Sequence, residues 1–418
     1  MGRTERDWPV APRYSHLKTR FQPLFDAIAE GAPGREAGRT LPHEQIGWLK
    51  AAGFGALRVP VDHGGSGVTI PELFRLLIDL AEADSNIAQS LRGHFAFVED
   101  MLSRPEAVAQ PWFQRFVAGE IVGNAWSETG DVKLGERKTS LIPQGADFEL
   151  DGVKHYSTGA IFAEWIDVLA TRSTDGAAVI AAVDTRQPSV QRLDDWTGFG
   201  QRTTGSGTTI FTAAPVAAAH VFPFETRFRY QTAFYQTVLN AVLSGSAAAA
   251  VREAAAFLKA RRRVYSSGTS LVAAEDPQLL QVIGRAHAFA EAARAATLAG
   301  AEAVQAAYEA QFLNDDAADK AANIEAELAS ARAQSAAADL SLRATTDIFN
   351  ALSASATDAG VALDRHWRNA RTAANHNPLI YKERILGDHV VNGTEPPFLW
   401  QIGTPDLPKS ERQSHGIA

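Results

Sequence analysis

The sequence has almost no sulfur-containing side chains. Its 418 residues include no cysteine and only two methionines, Met1 and Met101. The absence of cysteine excludes disulfide bonds, thiolate nucleophiles, Cys-x-x-Cys redox pairs, zinc–thiolate sites and cysteine-ligated clusters. It says nothing about the redox compartment, because the chain carries no thiol that would need protection.

The sequence also lacks a basic field and a long apolar run. Forty Lys and Arg stand against 48 Asp and Glu, a formal net charge of −8, which disfavours nucleic-acid binding. The one basic cluster, 261–263, is typical of a solvated helix end. Residues 1–6 lack the apolar stretch of a signal peptide, and no uninterrupted apolar run reaches the ~18 residues of a membrane span. We therefore expect a soluble, cytoplasmic protein.

Single motifs that identify an enzyme class are missing. The chain has no Gly-x-Ser-x-Gly, no Walker A, no His-Glu-x-x-His and no strict Gly-x-Gly-x-x-Gly. The segment Gly198-Phe199-Gly200 comes nearest to the last, but no strand–helix frame surrounds it, so a Rossmann site is not expected. The 11 histidines show no metal-ligand spacing, and we expect no metal.

Three zones differ in pattern. Residues 1–118 carry helix signals: a segment opens at Pro42 and closes at Gly53, Pro71 begins a second helix, and Asp84 or Ser85 caps a third that runs past His94. Residues 229–418 are rich in alanine with interspersed Leu, Ile and Phe, which is typical of closely packed long helices. The chain is predicted to be mainly α, with an N-terminal helical domain and a C-terminal bundle.

The middle zone, residues 119–228, has strand and turn signals. Asp151-Gly152 and Asp175-Gly176 each lie between strand-like runs, and Asp-Gly in that setting predicts a β-hairpin. A further β-branched run covers residues 208–212. The pattern predicts an inserted antiparallel β domain.

Several local motifs, in their order and spacing, resemble the acyl-CoA dehydrogenase superfamily over nearly the whole chain. The segment Trp126-Ser127-Glu128-Thr129 is similar to the loop that contacts the flavin in that superfamily, and residues 150–159 are similar to a second flavin-contacting segment. The other matching residues are Leu41, Pro42, Glu44, Gly53, Phe54, Val59, Pro60, Gly64, Gly65, Gly67, Ala83, Asp84, Ser85 and His94.

The stretch from Asp364 to Pro378 narrows the resemblance. Dehydrogenases of the superfamily usually carry a glutamate base here that takes the substrate α-proton, whereas this chain has His376. A histidine without a carboxylate partner in its motif is a poor replacement for that base. The segment instead resembles the flavin-dependent monooxygenase branch, the group of the dibenzothiophene monooxygenases and sulfur-acquisition oxidoreductases. Members of that group often carry Asp after the histidine, and this chain has Asn377.

The resemblance implies a fold and a chemistry. It implies an N-terminal helical domain, a middle antiparallel β-barrel and a C-terminal four-helix bundle, assembled as a homotetramer. It implies a two-component monooxygenase that uses reduced FMN, with FAD less favoured, supplied by a separate NAD(P)H-dependent reductase. A flavin C4a-hydroperoxide, formed with molecular oxygen, would transfer one oxygen atom to an organosulfur substrate such as a sulfide, sulfoxide, sulfone or thiophene.

The resemblance also implies roles for individual residues. His376, Ser157 and Asn124 would be catalytic: His376 would hydrogen-bond to the flavin peroxide and protonate it, Ser157 would lie near flavin N5, and Asn124 would lie beside the reacting face. The substrate would contact His94, Val98 and Trp196. The flavin would be held by Trp126, Ser127, Thr129, Tyr156, Ser157, Thr158, Trp196, Arg263 and Arg368, with Arg263 reaching the flavin phosphate of a neighbouring subunit.

Alternatives remain open for both function and residues. The chain has three other candidate functions: a flavin-dependent oxygenase of an aromatic or amine substrate, an acyl-CoA dehydrogenase with its base elsewhere, and a helical scaffold. His94 and Trp196 have an ordinary alternative as core residues, as have Ser157 and Asn124 as strand and turn residues. The scarcity of sulfur fits an enzyme made when sulfur is limiting, a drift in base composition, or resistance to peroxide, which attacks Met and Cys first.

Overall fold

The N-terminal third of the described chain is helical. The computed structural model describes residues 14–399 and 401–405, so residues 1–6, judged above for a signal peptide, lie outside it. The helices of this part are α1 (Tyr14–Gly38), α2 (His43–Ala51), α3 (Ile70–Ala83), α4 (Ser85–Ser90), α5 (Arg92–Leu102) and α6 (Glu106–Val117).

The predicted helix boundaries are largely confirmed here, with one correction. Helix α2 ends just before Gly53, which adopts a left-handed φ of 74°, and α3 begins with Pro71 in its first turn and a capping box on Thr69. The expected third helix is two helices, α4 and α5. The chain turns at Leu91 between them, and Asp84 caps α4 by accepting a hydrogen bond from the backbone of Asn86.

The middle of the chain forms one mixed sheet. Its strands are β1 (Val122–Ala125), β2 (Ser140–Gln144), β3 (Asp147–Lys154), β4 (Trp165–Arg172), β5 (Ala178–Asp184), β6 (Val190–Arg192), β7 (Thr209–Val216) and β8 (Val221–Pro223). The strand order across the sheet is β6-β7-β3-β2-β4-β5-β8, with β1 paired in parallel to β4. Strand β2 also pairs with β4 in parallel.

The sheet corrects the expected antiparallel barrel. It is not closed, because β6 and β8 lie at its two ends without pairing to each other. Turn signals report only on strands that are neighbours in sequence, whereas the parallel pairs β1–β4 and β2–β4 join strands that are not consecutive.

The two Asp-Gly predictions have opposite outcomes. Asp175-Gly176 joins β4 to β5 in an antiparallel hairpin, as predicted. The Asp151-Gly152 hairpin is wrong: both residues lie inside β3, where the register against β7 shifts between Leu150 and Gly152. Asp151 accepts a hydrogen bond from the backbone of Ala213, so its carboxylate stabilises a bulge instead of a turn.

The alanine-rich part forms long helices, as predicted. These are α7 (Gln231–Ala260), α8 (Pro277–Ala310), α9 (Asp316–Asp347), α10 (Asp364–Ala374) and α11 (Leu379–Asn392). Helices α7, α8 and α9 pack against one another. Small residues allow close approach: a Cβ on Gly245 of α7 would lie 2.4 Å from the Cβ of Ala81 on α3.

Helix α7 is long and apolar enough to cross a membrane by length and composition alone. Within its most apolar window, 67% is buried inside the fold. Its Ser244 hydroxyl lies 2.9 Å from that of Thr297 on α8, and its Asn240 amide donates to the backbone of Ser330 on α9. The helix therefore has the contacts of a buried core helix.

Candidate active site

Strand β1 and the segment after β3 meet at the start of α5. The backbone N–H of Asn124 donates to the carbonyl of Thr158 at 3.3 Å. Asn124 also lies against Gly93, where a Cβ would come within 2.9 Å of the Asn124 Cβ. The Oδ1 atom of Asn124 is buried and has no partner among the described residues. Burying an amide oxygen without a hydrogen bond is costly, so this oxygen is available to a hydrogen-bond donor from a ligand.

Ser157 and Thr158 have different environments. The Ser157 Oγ atom is buried without a partner among the described residues, although its backbone N–H donates to Gly207. The Thr158 hydroxyl lies 2.8 Å from that of Ser206, and Ser206 continues the chain to Thr204. Ser157 therefore has a hydroxyl that remains available to a ligand, whereas the Thr158 hydroxyl belongs to the fold.

Two aromatic side chains flank this segment on its open side. Tyr156 has a left-handed φ of 57° and an exposed ring, which meets the ring of Trp196 edge to face at 5.8 Å. The indole of Trp196 donates to the carbonyl of Gln201 at 2.9 Å. Phe199, which follows Trp196 closely in the sequence, stacks on the ring of Trp367 with ring centroids 6.1 Å apart. Trp196 is thus held in place by a hydrogen bond and still reaches solvent.

Trp126 is held by a buried charge network that the sequence analysis missed. Its indole N–H donates to Asp167 at 3.0 Å, and Asp167 accepts from Arg227 at 2.7 Å. Arg227 also lies 3.3 Å from the hydroxyl of Tyr235. Burial raises the pKa of Asp167 in spite of Arg227. Asp167 lies within β4, but nothing in its local sequence points to Trp126.

The loop of residues 126–129, which is similar to a flavin-contacting loop, is joined to the sheet by an ion pair. Glu128 accepts from the ammonium of Lys154, which is fully buried, at 2.7 Å. It also accepts from the backbones of Lys138 and Thr139. These hydrogen bonds outweigh burial and lower the pKa of Glu128 to about 2. Ser127 bridges to the backbone of His155, while Thr129 is exposed.

His376 lies at the end of α10 in a chain of side-chain amides. Its ring reaches solvent although protein atoms surround it densely. Asn377 donates to Gln236 at 2.8 Å, and Gln236 donates to Asn240. That direction leaves the Asn377 Oδ1 atom, 3.4 Å from His376 Nδ1, as the acceptor. A neutral amide thus occupies the position after His376, where the resemblance led us to expect a carboxylate.

Arg92 is the second side chain that the sequence analysis missed. Its Nη1 atom lies 3.2 Å from Nε2 of His376, and its Nε donates to the backbone of Tyr235. Burial and the Arg92 charge lower the pKa of His376 to about 3, so the imidazole is neutral near pH 7. The available signal was a single arginine in an otherwise weakly charged segment, two residues before His94.

His94 and Val98 are core residues in this structure. Both are fully buried. One ring nitrogen of His94 lies 2.8 Å from the carbonyl of Gly55 and the other accepts from the backbone of Val122, so neither is left for a substrate. Burial lowers the pKa of His94 to about 4. These contacts favour the core-histidine alternative.

The two predicted cofactor-binding arginines make no hydrogen bond or ion pair with Asn124 among the described residues. Arg368 pairs with Glu36 at 2.6 Å and with Asp364 at 2.8 Å, and it donates to the backbone of Phe199. Arg263 is exposed beyond the end of α7. Among residues 14–399 and 401–405, no contact joins Arg263 to Asn124, Ser157 or His376.

A groove lies beside this group, and its lining does not include Asn124, Ser157 or His376. It has a volume of about 1120 Å³ and lies between α9, α10 and α11. Asn375 and Pro378, which flank His376, line it together with Arg332 and Arg371. Asn124 Oδ1 and Ser157 Oγ are two of the buried polar atoms without a hydrogen-bond partner among the described residues. They lie on β1 and on the segment after β3, which meet at the start of α5, and we place the candidate site there.

The residues present fit a flavin. Asn124 and Ser157 supply a carbonyl oxygen and a hydroxyl without protein partners, which suits the ring edge of an isoalloxazine with its alternating donors and acceptors. Trp126, Tyr156 and Trp196 supply aromatic surfaces.

Comparisons with known proteins support the resemblance to flavin-dependent monooxygenases. The acyl-CoA dehydrogenase C-terminal domain model matches residues 237–379. A dibenzothiophene monooxygenase of Mycolicibacterium goodii is 28% identical over 364 residues, 83% of this chain and 87% of the relative. A probable FMNH2-dependent monooxygenase of Pseudomonas putida, SfnC, is 27% identical over 89% of this chain and 94% of the relative.

The fold agrees with a solved relative. The structure of the methanesulfinate monooxygenase MsuC of Pseudomonas fluorescens superposes with a TM-score of 0.81 at 25% identity, covering 92% of this chain and 98% of that one. These similarities confirm the resemblance to the flavin-dependent monooxygenase branch that the motifs predicted.

Proposed function

We propose that this chain, which shares sequence and fold with the flavin-dependent monooxygenases of the acyl-CoA dehydrogenase superfamily, is an FMNH2-dependent monooxygenase of organosulfur compounds. The observation that carries the proposal is that His376, in contact with Arg92, stands at the position where the resemblance implies a carboxylate base in dehydrogenases. In the part of the chain that the structure describes, neither side chain contacts a carboxylate. Abstraction of an α-proton needs such a base, whereas oxygen transfer to sulfur does not.

The residues of the site bind, orient and exclude water. Reduced FMN from a separate NAD(P)H-dependent reductase would supply two electrons and activate molecular oxygen. Asn124 and Ser157 would hydrogen-bond to the flavin ring, and Thr158 would fix the segment that carries Ser157 through its contact with Ser206. Trp126 would form one wall, held by Asp167. Tyr156 and Trp196 would limit access of water from the open side.

His376 acts as a neutral group in this arrangement. Its Nε2 accepts from Arg92, so its proton lies on Nδ1 beside Asn377. Donation of a proton from Nε2, the role that the resemblance implies, requires the contact with Arg92 to break and the proton to change nitrogen. His376 therefore has two roles in this proposal. It first holds Arg92 in position, and it donates a proton only after its contact with Arg92 has broken.

Assembly and location complete the proposal. Arg263 is exposed and would reach the flavin phosphate of a second subunit in a homotetramer, with guanidinium donors that suit a phosphate. The C-terminal helices would form a four-helix bundle within the chain, to which α7, α8 and α9 contribute. The location would be the cytoplasm, where a soluble reductase would supply the reduced FMN. Light scattering of the purified protein tests the tetramer.

The deciding experiment follows oxygen into product. The protein is incubated with FMN, a flavin reductase, NADH, catalase and a panel of sulfides, sulfones, thiophenes and sulfinates under ¹⁸O₂. We expect one labelled oxygen atom on the sulfur product, and loss of product in His376→Ala. His287→Ala, with an exposed ring on α8, serves as the matched control. Absence of labelled product from every compound, or bleaching of a bound flavin by an acyl-CoA, would contradict the proposal.

A further inference from the structure

Five arginines are buried among the described residues, and four of them pair with a carboxylate. Arg35 pairs with Asp84, Arg58 with Glu99, Arg227 with Asp167 and Arg365 with Glu253. The fifth, Arg92, is 8% exposed and has no carboxylate partner in the described ranges. Burial of a charge without a partner is expensive, so the fold retains at this position a cation that it does not neutralise.

The protein groups around Arg92 use only part of its bonding capacity. Its Nε donates to the carbonyl of Tyr235 and its Nη1 to His376. The ring of Tyr235 lies 4.6 Å from the guanidinium carbon, a cation–π contact that offsets a small part of the charge. A guanidinium has five N–H donors, and no described residue accepts from the Nη2 atom. Burial lowers the pKa of Arg92 to about 10, so the group stays charged near pH 7.

Arg92 lies beside the site described above. Gly93, the next residue, packs against Asn124, whose Oδ1 has no protein partner. His376 is in direct contact with Arg92, and Tyr235 meets the ring of Trp126 edge to face at 5.6 Å. The unused donors of Arg92 and the unpaired oxygen of Asn124 therefore lie in the same region of the candidate flavin site.

We propose that Arg92 binds the negatively charged group of the substrate, and that the substrate is an organic sulfinate. This inference rests on the proposed function and narrows its substrate class. Oxygen transfer to sulfur requires a lone pair on that sulfur. A sulfinate keeps one and is anionic near pH 7, whereas sulfides and thiophenes are neutral, and sulfones and sulfonates have no lone pair left on sulfur.

The reaction balances with the reactants already named. One sulfinate, one O₂ and one FMNH2 give one sulfonate, one FMN and one water. An S–O bond forms, the O–O bond breaks, and the second oxygen atom leaves as water with the two protons of FMNH2. The sulfur loses two electrons and the flavin loses two electrons, which together reduce O₂. The two oxygen atoms of the sulfinate accept from Arg92, as the planar fork of a guanidinium favours.

The first test compares steady-state constants for methanesulfinate and benzenesulfinate with those for dimethyl sulfide and dibenzothiophene, which are neutral and keep a lone pair on sulfur. Loss of a hydrogen bond between charged groups predicts a KM for the sulfinates that rises roughly tenfold to a hundredfold in Arg92→Met, with partial recovery in Arg92→Lys. Arg343→Met, an exposed arginine of α9 paired with Asp339, is the control and leaves KM unchanged.

The second test separates substrate binding from a structural role. Replacing Arg58 leaves Glu99 buried without its cation, so Arg58→Met lowers the melting temperature. Replacing Arg92 leaves no carboxylate behind, so Arg92→Met keeps or raises the melting temperature. A melting temperature that falls as far as in Arg58→Met would overturn the inference.

Three further outcomes are distinguishable. Labelled product from neutral compounds with none from sulfinates overturns the sulfinate assignment and leaves the proposed function standing. A weaker affinity of Arg92→Met for reduced FMN, with the sulfinate KM unchanged, would assign the cation to the flavin and overturn the inference. No labelled product from any sulfur compound is a failure of the proposed function itself.

Discussion

The Nη1 atom of Arg92 lies 3.2 Å from the Nε2 atom of His376, and this contact determines the proton position on the imidazole. A guanidinium is only a donor, so Nε2 must accept and the proton must lie on Nδ1. The Asn377 oxygen is the acceptor at Nδ1, because the amide nitrogen of Asn377 donates to Gln236. One arginine on α5 thus sets the tautomer of a histidine at the end of α10.

The tautomer of His376 is directly measurable. We expect ¹⁵N shifts of a neutral Nδ1–H imidazole at pH 7, since burial and then the Arg92 charge lower its pKa to about 3. Arg92→Met removes the arginine charge but not the burial, so the pKa of His376 should rise part of the way towards the ordinary value for histidine. NMR titration of labelled protein measures both. A protonated ring at pH 7 in the unchanged protein would contradict the assignment.

Gly93 has a steric role at the site. A Cβ there would lie 2.9 Å from both the backbone nitrogen and the Cβ of Asn124. Gly93→Ala should therefore displace Asn124 and lower turnover by on the order of a hundredfold, with FMN affinity reduced as well. Gly47→Ala on α2, where nothing lies within 4 Å of the added Cβ, is the control and should be neutral or slightly stabilising. Equal turnover in the two variants would exclude the steric role.

The neighbours Ser157 and Thr158 should respond differently. Ser157→Ala removes a hydroxyl without a protein partner, so the free energy of unfolding should change by less than about 0.5 kcal/mol, while FMN affinity falls. Thr158→Val removes the hydrogen bond to Ser206 and should cost about 1 kcal/mol of stability. Urea unfolding and FMN titration of both variants test this. A loss of stability in Ser157→Ala with none in Thr158→Val would contradict the prediction.

His94 makes stability depend on pH. Its pKa of about 4 in the folded protein is below the ordinary value of about 6.5, so between these values the unfolded chain binds a proton that the folded chain does not. The free energy of unfolding should therefore fall as pH decreases, by about 2 kcal/mol from this residue between pH 6.5 and 5. His94→Gln should flatten that dependence in urea titrations at several pH values, while His287→Gln should leave it unchanged. Identical slopes in all three proteins would refute the prediction.

Local sequence signals were sufficient for much of the fold and for part of the site. Capping at Asp84 and the Asp175-Gly176 turn could be predicted because each depends on residues within a few positions of one another. The same reasoning failed at Asp151-Gly152, where the carboxylate bonds to Ala213, some sixty residues away in the chain.

The sequence by itself determined which chemistry is available and which protein family the chain resembles. Without cysteine there is no thiol chemistry, and the order of the motifs indicates a flavin site containing Asn124, Ser157 and His376. Tertiary structure decided what these residues meet. It paired both nitrogens of His94 with backbone groups, and it brought Arg92 to His376 across 284 positions. Spacing along a chain reports only local geometry, so the position of an unneutralised cation became visible only after folding had placed its neighbours.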